Sequence, residues 1–202
     1  MKPIQKIMSG MAMIAMGLTF TGCETTGESA GLGAVLGATA GAIIGNQSGN
    51  QGEGAVIGAI LGGTAGAIVK DVEKTNAKKS RTAEETVMEY NYTPTQGESL
   101  RFENAMLEPS VVKRGQQTNV SMQYALLGSG AGKQVTETRI IKKDGEVVAQ
   151  ISSETFTRND GTWISSQEFR IPENWEAGEY TLEQVAATHE STISGSAKFF
   201  VE

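Results

Sequence analysis

The pattern of apolar residues changes twice along the chain. Residues 7–20 form an uncharged apolar run, and residues 31–69 repeat glycine among alanine, isoleucine, valine and leucine. From about residue 98, short runs in which apolar and polar residues alternate continue to the C-terminus. A period of two residues indicates strands with one buried face, whereas glycine at every fourth position is typical of closely packed helices. The chain therefore combines an apolar N-terminal part with a strand-rich C-terminal part.

The alternating runs predict strands. Val120, Met122, Tyr124 and Leu126 alternate with polar or small residues, which indicates a half-buried strand. The other apolar positions that share a face within a run are Leu100, Phe102 and Met106; Trp163, Phe169 and Ile171; Tyr180 and Leu182; and Ile193, Ala197, Phe199 and Val201. Val185 and Ala187 lie on the opposite parity from Tyr180, which predicts a β-bulge near Glu183.

Turn-forming residues separate these runs. Asp144-Gly145, between runs at residues 135–142 and 146–157, is a strong signal for a two-residue hairpin. Asn159-Asp160-Gly161 forms the next turn, and Pro172–Gly178 forms a loop. Seven strands with turns between them predict a β-sandwich over residues 98–202. We expect this domain to fold on its own.

Gly178-Glu179-Tyr180-Thr181-Leu182 resembles the start of the penultimate strand in immunoglobulin-like domains. This resemblance implies that the Tyr180 hydroxyl bonds to nearby backbone. The chain has one cysteine, so the resemblance extends to the architecture and not to the disulfide of antibody domains.

The glycine-rich segment is an internal duplication. Thr39-Ala-Gly-Ala-Ile-Ile in the first copy matches Thr64-Ala-Gly-Ala-Ile-Val in the second, and turn-forming residues 46–52 lie between the copies. The predicted helix-packing residues are Gly33, Gly37, Gly41, Gly45, Gly54, Gly58, Gly62 and Gly66. Each glycine costs roughly 0.8–1 kcal/mol of helix propensity relative to alanine, but in lipid an unpaired backbone costs more. We therefore favour a membrane helical hairpin over a disordered linker or a soluble helical oligomer.

The N-terminus has the layout of a secretory signal. Lys2 and Lys6 precede the apolar run, which is shorter than the roughly 20 residues of a spanning helix. The run ends in Phe20-Thr21-Gly22-Cys23, which resembles the lipobox of bacterial lipoproteins. The resemblance implies lipidation of Cys23, with palmitate among the acyl chains, whereas the alternative is an ordinary signal with an incidental cysteine. Glu24, which is not aspartate, favours sorting to the outer membrane within that family.

Together, the signal, the lipobox and the paired G-x-x-x-G repeats resemble the glycine-zipper lipoproteins of the Gram-negative envelope, over about residues 1–70. This resemblance implies a lipid-anchored outer-membrane protein of the surface-antigen or envelope-integrity type. Membrane lipid and other copies of the chain are the implied partners, and an envelope protein partner stays open.

A charged segment follows the zipper. Lys70, Lys74, Lys78 and Lys79 lie near its start, and glutamates follow. We interpret residues 70–97 as a connector, which is either a solvated helix or a segment whose basic residues contact anionic headgroups. Tyr90–Gly97 ends any helix there.

Composition narrows the chemistry. A net charge of −6 argues against nucleic-acid binding, and one cysteine with one histidine provides few residues for a metal site or a nucleophile–histidine pair. His189 is predicted in a polar turn, and Glu173, Glu176 and Glu179 in a solvated acidic loop. We therefore predict no catalytic residue, no metal and no cofactor, and interpret the chain as a non-enzyme.

The predicted fold class is α+β, with a membrane glycine-zipper hairpin followed by an all-β immunoglobulin-like sandwich. The predicted units are a signal peptide (1–22), a tether (23–30), the zipper (31–69), the connector (70–97) and the sandwich (98–202). Two functional classes remain. The zipper supports the outer membrane structurally, or it holds a periplasmic binding or adaptor domain at the membrane.

Overall fold

The computed structural model describes residues 67–202, so Cys23 and the eight predicted zipper glycines lie outside the described residues. The strands are β1 Ala67–Ile68, β2 Asn76–Arg81, β3 Ser99–Glu108, β4 Val111–Val112, β5 Gln117–Leu127, β6 Lys133–Lys143, β7 Glu146–Arg158, β8 Gly161–Arg170, β9 Gly178–Ala187 and β10 Thr192–Val201. One α-helix, α1, spans Ala83–Tyr90, and a short 3-10 helix spans Pro94–Gln96. The strand-rich interpretation of this part of the chain is confirmed.

The strands form two sheets. One has the order β1-β7-β6-β9-β10-β4 and the other the order β2-β8-β5-β3. Neighbouring strands are antiparallel, except that the two-residue strands β1 and β4 run parallel to β7 and β10. Both apolar clusters of the core contain residues from both sheets, so the sheets pack face to face.

The two clusters occupy different parts of the space between the sheets. The larger one includes Leu107, Val120, Phe169, Leu182 and Val201. The smaller one comprises Leu100, Met122, Tyr124, Leu126, Val135 and Ala186, with Phe102, Trp163 and Ile193 packed against it. The predicted alternation in β5 is confirmed, because all four of its predicted core residues are buried.

The Asp144-Gly145 hairpin is also present. It joins β6 to β7, and both residues have positive φ angles, 52° and 84°. Two positive φ angles in a two-residue loop match the right-handed twist of the flanking strands. Glycine adopts such angles without steric cost, and aspartate tolerates them better than most residues.

Residues 70–97, which the sequence indicates to be a connector, are instead built into the sandwich. Asn76–Arg81 form β2, which pairs with β8, and Ala83–Tyr90 form a helix that contacts β8 and β5. Thr82 caps this helix through a capping box with Glu85. The described β-domain therefore includes residues on the N-terminal side of the predicted boundary at residue 98.

Two predictions about strand faces are wrong. β9 pairs with β6 and β10 without a register shift, so there is no bulge near Glu183. Val185 lies on the outer face of the regular strand β9 and is nevertheless buried. In β3, a register shift between Phe102 and Asn104 reverses the side-chain alternation, so Met106 is exposed and Leu107 is buried.

Candidate functional site

The end of the second zipper copy is part of the β-domain. Ala67 and Ile68 pair with Ala149 and Gln150 of β7. Val69 is 6% exposed and belongs to the larger apolar cluster, and its N–H donates to the Gln150 carbonyl at 3.1 Å. The repeated sequence therefore passes into the sandwich without an intervening spacer.

Polar side-chain contacts hold β2 and α1 against the other strands of the four-stranded sheet. Glu103 of β3 accepts hydrogen bonds from the Tyr90 hydroxyl at 2.7 Å and from Gln123 Nε2 at 2.6 Å, and it forms an ion pair with Arg81. The Thr86 and Thr162 hydroxyls, both buried, lie 3.2 Å apart between α1 and β8. Polar contacts therefore fix both β2 and α1. Their partners lie on β3 and β8, so the sequences of β2 and α1 alone do not predict these contacts.

The contacts around Glu103 shift the pKa values of Glu103 itself and of Tyr90. Burial by itself raises the pKa of Glu103, but hydrogen bonds from Tyr90, Gln123 and Arg81 outweigh it and lower this pKa. Burial and the neighbouring carboxylate raise the pKa of Tyr90 to about 12. The carboxylate is therefore ionised and the phenol neutral at neutral pH, which is the combination that this hydrogen bond needs.

A charged cluster lies between the two sheets. Glu137 of β6 is fully buried, and its Oε1 atom accepts from the Tyr124 hydroxyl at 2.7 Å and from Arg158 Nη2 at 2.8 Å. Its Oε2 atom accepts from Arg139 Nη2 at 3.2 Å and from the Ser165 hydroxyl. Since Tyr124 and Ser165 belong to one sheet and Glu137 to the other, this carboxylate connects the sheets.

Polar side chains extend this charged cluster towards Glu73, which follows β1 in the sequence. Arg139 Nη2 donates to Ser165 Oγ at 2.9 Å, and the Ser152 hydroxyl donates to Gln167 Oε1 at 2.6 Å. Gln167 Nε2 donates in turn to the backbone carbonyl of Glu73 at 2.9 Å. The interior of the sandwich therefore has a polar layer that reaches the residues following β1.

Electrostatics keep the central groups charged. Burial alone raises the pKa of Glu137, but Arg139 and the hydrogen bonds from Ser165, Arg158 and Tyr124 hold it below its usual range. Burial lowers the pKa of Arg139 despite the attraction of Glu137, and a guanidinium still keeps its proton at neutral pH. Two arginines and one carboxylate are therefore charged inside the protein.

The sequence predicts a strand here, but its pattern does not single out Glu137 or Arg139. The available signal was their parity, because both share a face with Val135 and Ile141, which are core residues. A charged residue at an inward position of a strand indicates a buried ion pair or a functional group.

The Tyr180 hydroxyl forms the backbone bond that its resemblance implied. It donates to the carbonyl of Glu176 at 2.9 Å. In the acidic loop, Glu176 pairs with Lys143 at 2.5 Å, and Glu179 at the start of β9 pairs with Lys198 at 2.8 Å. These carboxylates are solvent-exposed and act in surface ion pairs, and His189 is also exposed.

An open groove lies where β3 and β10 meet. Its lining residues are Ala105, Met106, Leu107, Glu108, Pro109, Ser110, Ala197 and Lys198. Met106, Val111 and Phe200 are 42%, 51% and 45% exposed, and Val111 and Phe200 are register neighbours in β4 and β10. Large apolar side chains are therefore concentrated along this side of the sandwich.

Neither a metal cluster nor a spanning helix is present between residues 67 and 202. In this range, no three His, Cys, Asp or Glu residues group closely enough to hold a metal ion. Over the same residues, no helix has both the length and the apolar character needed to cross a membrane.

Comparison with known proteins identifies the N-terminal segment. The family described as YMGG-like Gly-zipper matches residues 1–74, which confirms the glycine-zipper resemblance and suggests a membrane-associated protein. The match includes β1, Val69 and the residues up to Lys74, so it overlaps the described β-domain. No curated protein matches the sequence.

Several solved structures are similar to the β-domain at low identity. The alkylpurine DNA glycosylase AlkC of Pseudomonas fluorescens is 15% identical over 59% of this chain, with a TM-score of 0.42, and the match spans 37% of the glycosylase chain. A CARDB domain from Pyrococcus furiosus is 13% identical over 53% of this chain and 90% of its own, with a TM-score of 0.39. A Niemann-Pick type C2 protein from the Japanese carpenter ant is 13% identical over 50% of this chain and 90% of its own, with a TM-score of 0.37.

Proposed function

We propose that this chain, whose residues 1–74 match the YMGG-like Gly-zipper family, is a lipid-anchored protein of the bacterial outer membrane. Cys23 carries the lipid, the glycine zipper packs within the membrane into homo-oligomers, and the β-domain faces the periplasm. Its role is structural, in the integrity or assembly of the outer membrane.

The observation that carries the proposal is the continuity between the zipper sequence and the sandwich. The family match ends at Lys74, whereas Val69 is already buried in the β-domain. A domain that only needed to be tethered to the membrane could be connected by a flexible linker of any length. A junction without a spacer instead supports a zipper whose assembly arranges the β-domains around it.

The finer class of the β-domain is part of the proposal. The sheet orders β2-β8-β5-β3 and β6-β9-β10 correspond to the ABED and CFG sheets of immunoglobulin-like sandwiches, with β2 in the position of strand D. The Tyr180–Glu176 bond at the start of β9 supports the same assignment. Such sandwiches host many functions, so this assignment describes architecture only.

The groove between β3 and β10 favours a second candidate. In that alternative, the zipper and the lipid hold an adaptor domain at the membrane, and the groove binds an envelope protein. The two candidates differ in which half of the chain carries the function.

Lipidation is tested by fatty-acid labelling in cells. Cys23→Ala should abolish labelling and leave the uncut precursor, whereas the control Thr25→Ala, two residues away, should be labelled and processed normally. Normal labelling of Cys23→Ala would show that the cysteine is incidental.

Zipper assembly is tested by crosslinking in membranes. Gly37→Leu with Gly58→Leu puts bulky side chains into the packing face and should remove the crosslinked ladder. Val35→Leu with Val56→Leu adds the same residue at equivalent positions of the two copies on the apolar face and should retain the ladder. If both pairs give the wild-type ladder, the zipper does not mediate assembly.

Complementation separates the two candidates. Residues 1–66 alone should oligomerise and restore an envelope defect caused by deletion of the gene. If only a β-domain on an unrelated lipid anchor restores it, the adaptor function is correct.

A further inference from the structure

The four lateral edges of the two sheets differ in how they are protected against pairing with another strand. Register shifts interrupt the pairing of β7, β2 and β3 with their neighbours. β10 instead pairs with β9 without interruption from Thr192 to Val201. Bulges, charges and prolines are the usual means of protecting an edge, and β10 has no proline and one charged residue, Lys198.

Most of the β10 edge has no strand partner within the described part of the chain. β4 pairs only with Phe200 and Val201. The Phe200 N–H donates to the Ser110 carbonyl at 2.8 Å, so this residue directs its backbone groups away from β9. Since hydrogen-bonding direction alternates along an antiparallel strand, the backbone groups of Ser194, Ser196 and Lys198 point to the same side.

We infer that this edge pairs with the same edge of a second copy of the chain, in an antiparallel arrangement with Gly195 on the two-fold axis. Ser194 then lies opposite Ser196 of the second copy, and Thr192 lies opposite Lys198 of the second copy. Like charges do not face each other along the seven paired residues, and Phe199–Val201 keep their place beside β4.

The choice of a second copy follows from the junction at residues 67–69 and therefore rests on the proposed zipper assembly. An oligomeric zipper without a spacer holds neighbouring β-domains at an effective concentration in the millimolar range. Seven paired residues bury too little surface for a stable dimer in free solution. The edge contact is consequently a property of the assembled full-length chain in a membrane.

The Cα atoms of a hydrogen-bonded antiparallel pair lie about 5.5 Å apart, which is within the range that a disulfide spans. We would therefore co-express two differently tagged full-length chains, one with Ser194→Cys and one with Ser196→Cys, and oxidise the membranes. The expected product is a disulfide dimer with both tags. The matched control is Ser153→Cys with Thr155→Cys, also exposed and two residues apart, on β7 at the opposite side of the same sheet.

A blocking substitution tests the backbone pairing. Ser196→Pro removes an outward N–H and leaves the bonds to β9, so it should lower the Thr192→Cys/Lys198→Cys crosslink by about tenfold or more. If protease digestion shows that the proline variant does not fold, Ser196→Lys should weaken the same crosslink through charge repulsion.

The outcomes separate the edge contact from the zipper. A wild-type zipper ladder without the 194–196 disulfide, or with an equally strong control disulfide, overturns the edge contact alone. Capture of a different protein by a photo-crosslinker at Ser196, without the homotypic disulfide, also overturns it and supports the adaptor function. A 194–196 disulfide that persists in Gly37→Leu with Gly58→Leu keeps the edge contact and contradicts assembly through the zipper.

Discussion

The Tyr124 hydroxyl donates to Glu137 across 2.7 Å, and this bond joins the two sheets through the interior of the sandwich. Tyr124 also belongs to the smaller apolar cluster, so the same side chain contributes to the apolar core and to the polar layer. A buried tyrosine hydroxyl needs a partner, and a buried carboxylate needs several. The burial of Glu137 depends on this bond together with the two arginines.

Glu137→Gln should strongly destabilise the β-domain. Between residues 67 and 202, it removes the only carboxylate that accepts from both Arg139 and Arg158, and both arginines are buried. Breaking a buried ion pair by removing one partner costs about 3–5 kcal/mol in free energy of unfolding. Urea unfolding of residues 67–202 measures this loss. Glu179→Gln, at the exposed Lys198 pair, should unfold close to wild type; equal midpoints for the two variants would mean that water solvates the arginines.

The stability of the domain should fall in acid. The pKa values of Glu137 and Glu103 are lowered in the folded state, so the unfolded state takes up their protons first. Their contribution to the free energy of unfolding is complete above the ordinary glutamate pKa of 4.5 and is lost as the pH falls through the lowered folded-state values. Thermal melts from pH 7 to pH 3 should show this loss, and it should be smaller in Glu137→Gln. A pH-independent melting temperature would contradict the assigned pKa directions.

The fragment 67–202 should fold cooperatively, whereas 98–202 should be much less stable. The shorter fragment lacks β2, which covers an edge of β8, and it lacks Val69 of the core. Burying one valine side chain alone contributes about 1.5–3 kcal/mol. Glu103 also loses its contacts with Arg81 and Tyr90. Urea unfolding of both fragments tests this, and coincident curves would restore the boundary at residue 98.

Tyr180→Phe should destabilise the domain by about 1 kcal/mol, because it removes one partly buried hydrogen bond and leaves the Glu176 carbonyl without that donor. The ring stacks on Phe199 at 5.5 Å and keeps this contact in the variant. Tyr92→Phe is the control, because its hydroxyl donates to the Gly97 carbonyl at an exposed site. A larger effect at Tyr92 than at Tyr180 would show that the bond at the start of β9 contributes little to stability.

The sequence predicts the parts of the fold that depend on residues close together in the chain. Asp144-Gly145 defines its hairpin through turn geometry, and the alternation around Val120 defines the buried face of β5. β2 was missed because NAKKSR contains no fully buried side chain, and its place depends on backbone pairing with β8 far along the sequence. The Glu137 cluster was missed for the same reason, since its partners lie on three other strands.

The burial of Val69 limits how this part of the chain can change in evolution. A linker between two domains tolerates gain or loss of residues, because its length has no fixed value. Successive residues of a strand point to opposite faces, so inserting a single residue between β1 and Val69 would move the valine side chain out of the core. β1 and Val69 therefore have to stay adjacent in the sequence for the fold to keep this valine in the core. A junction made at this point with one residue more or fewer would reverse which side chains face the core.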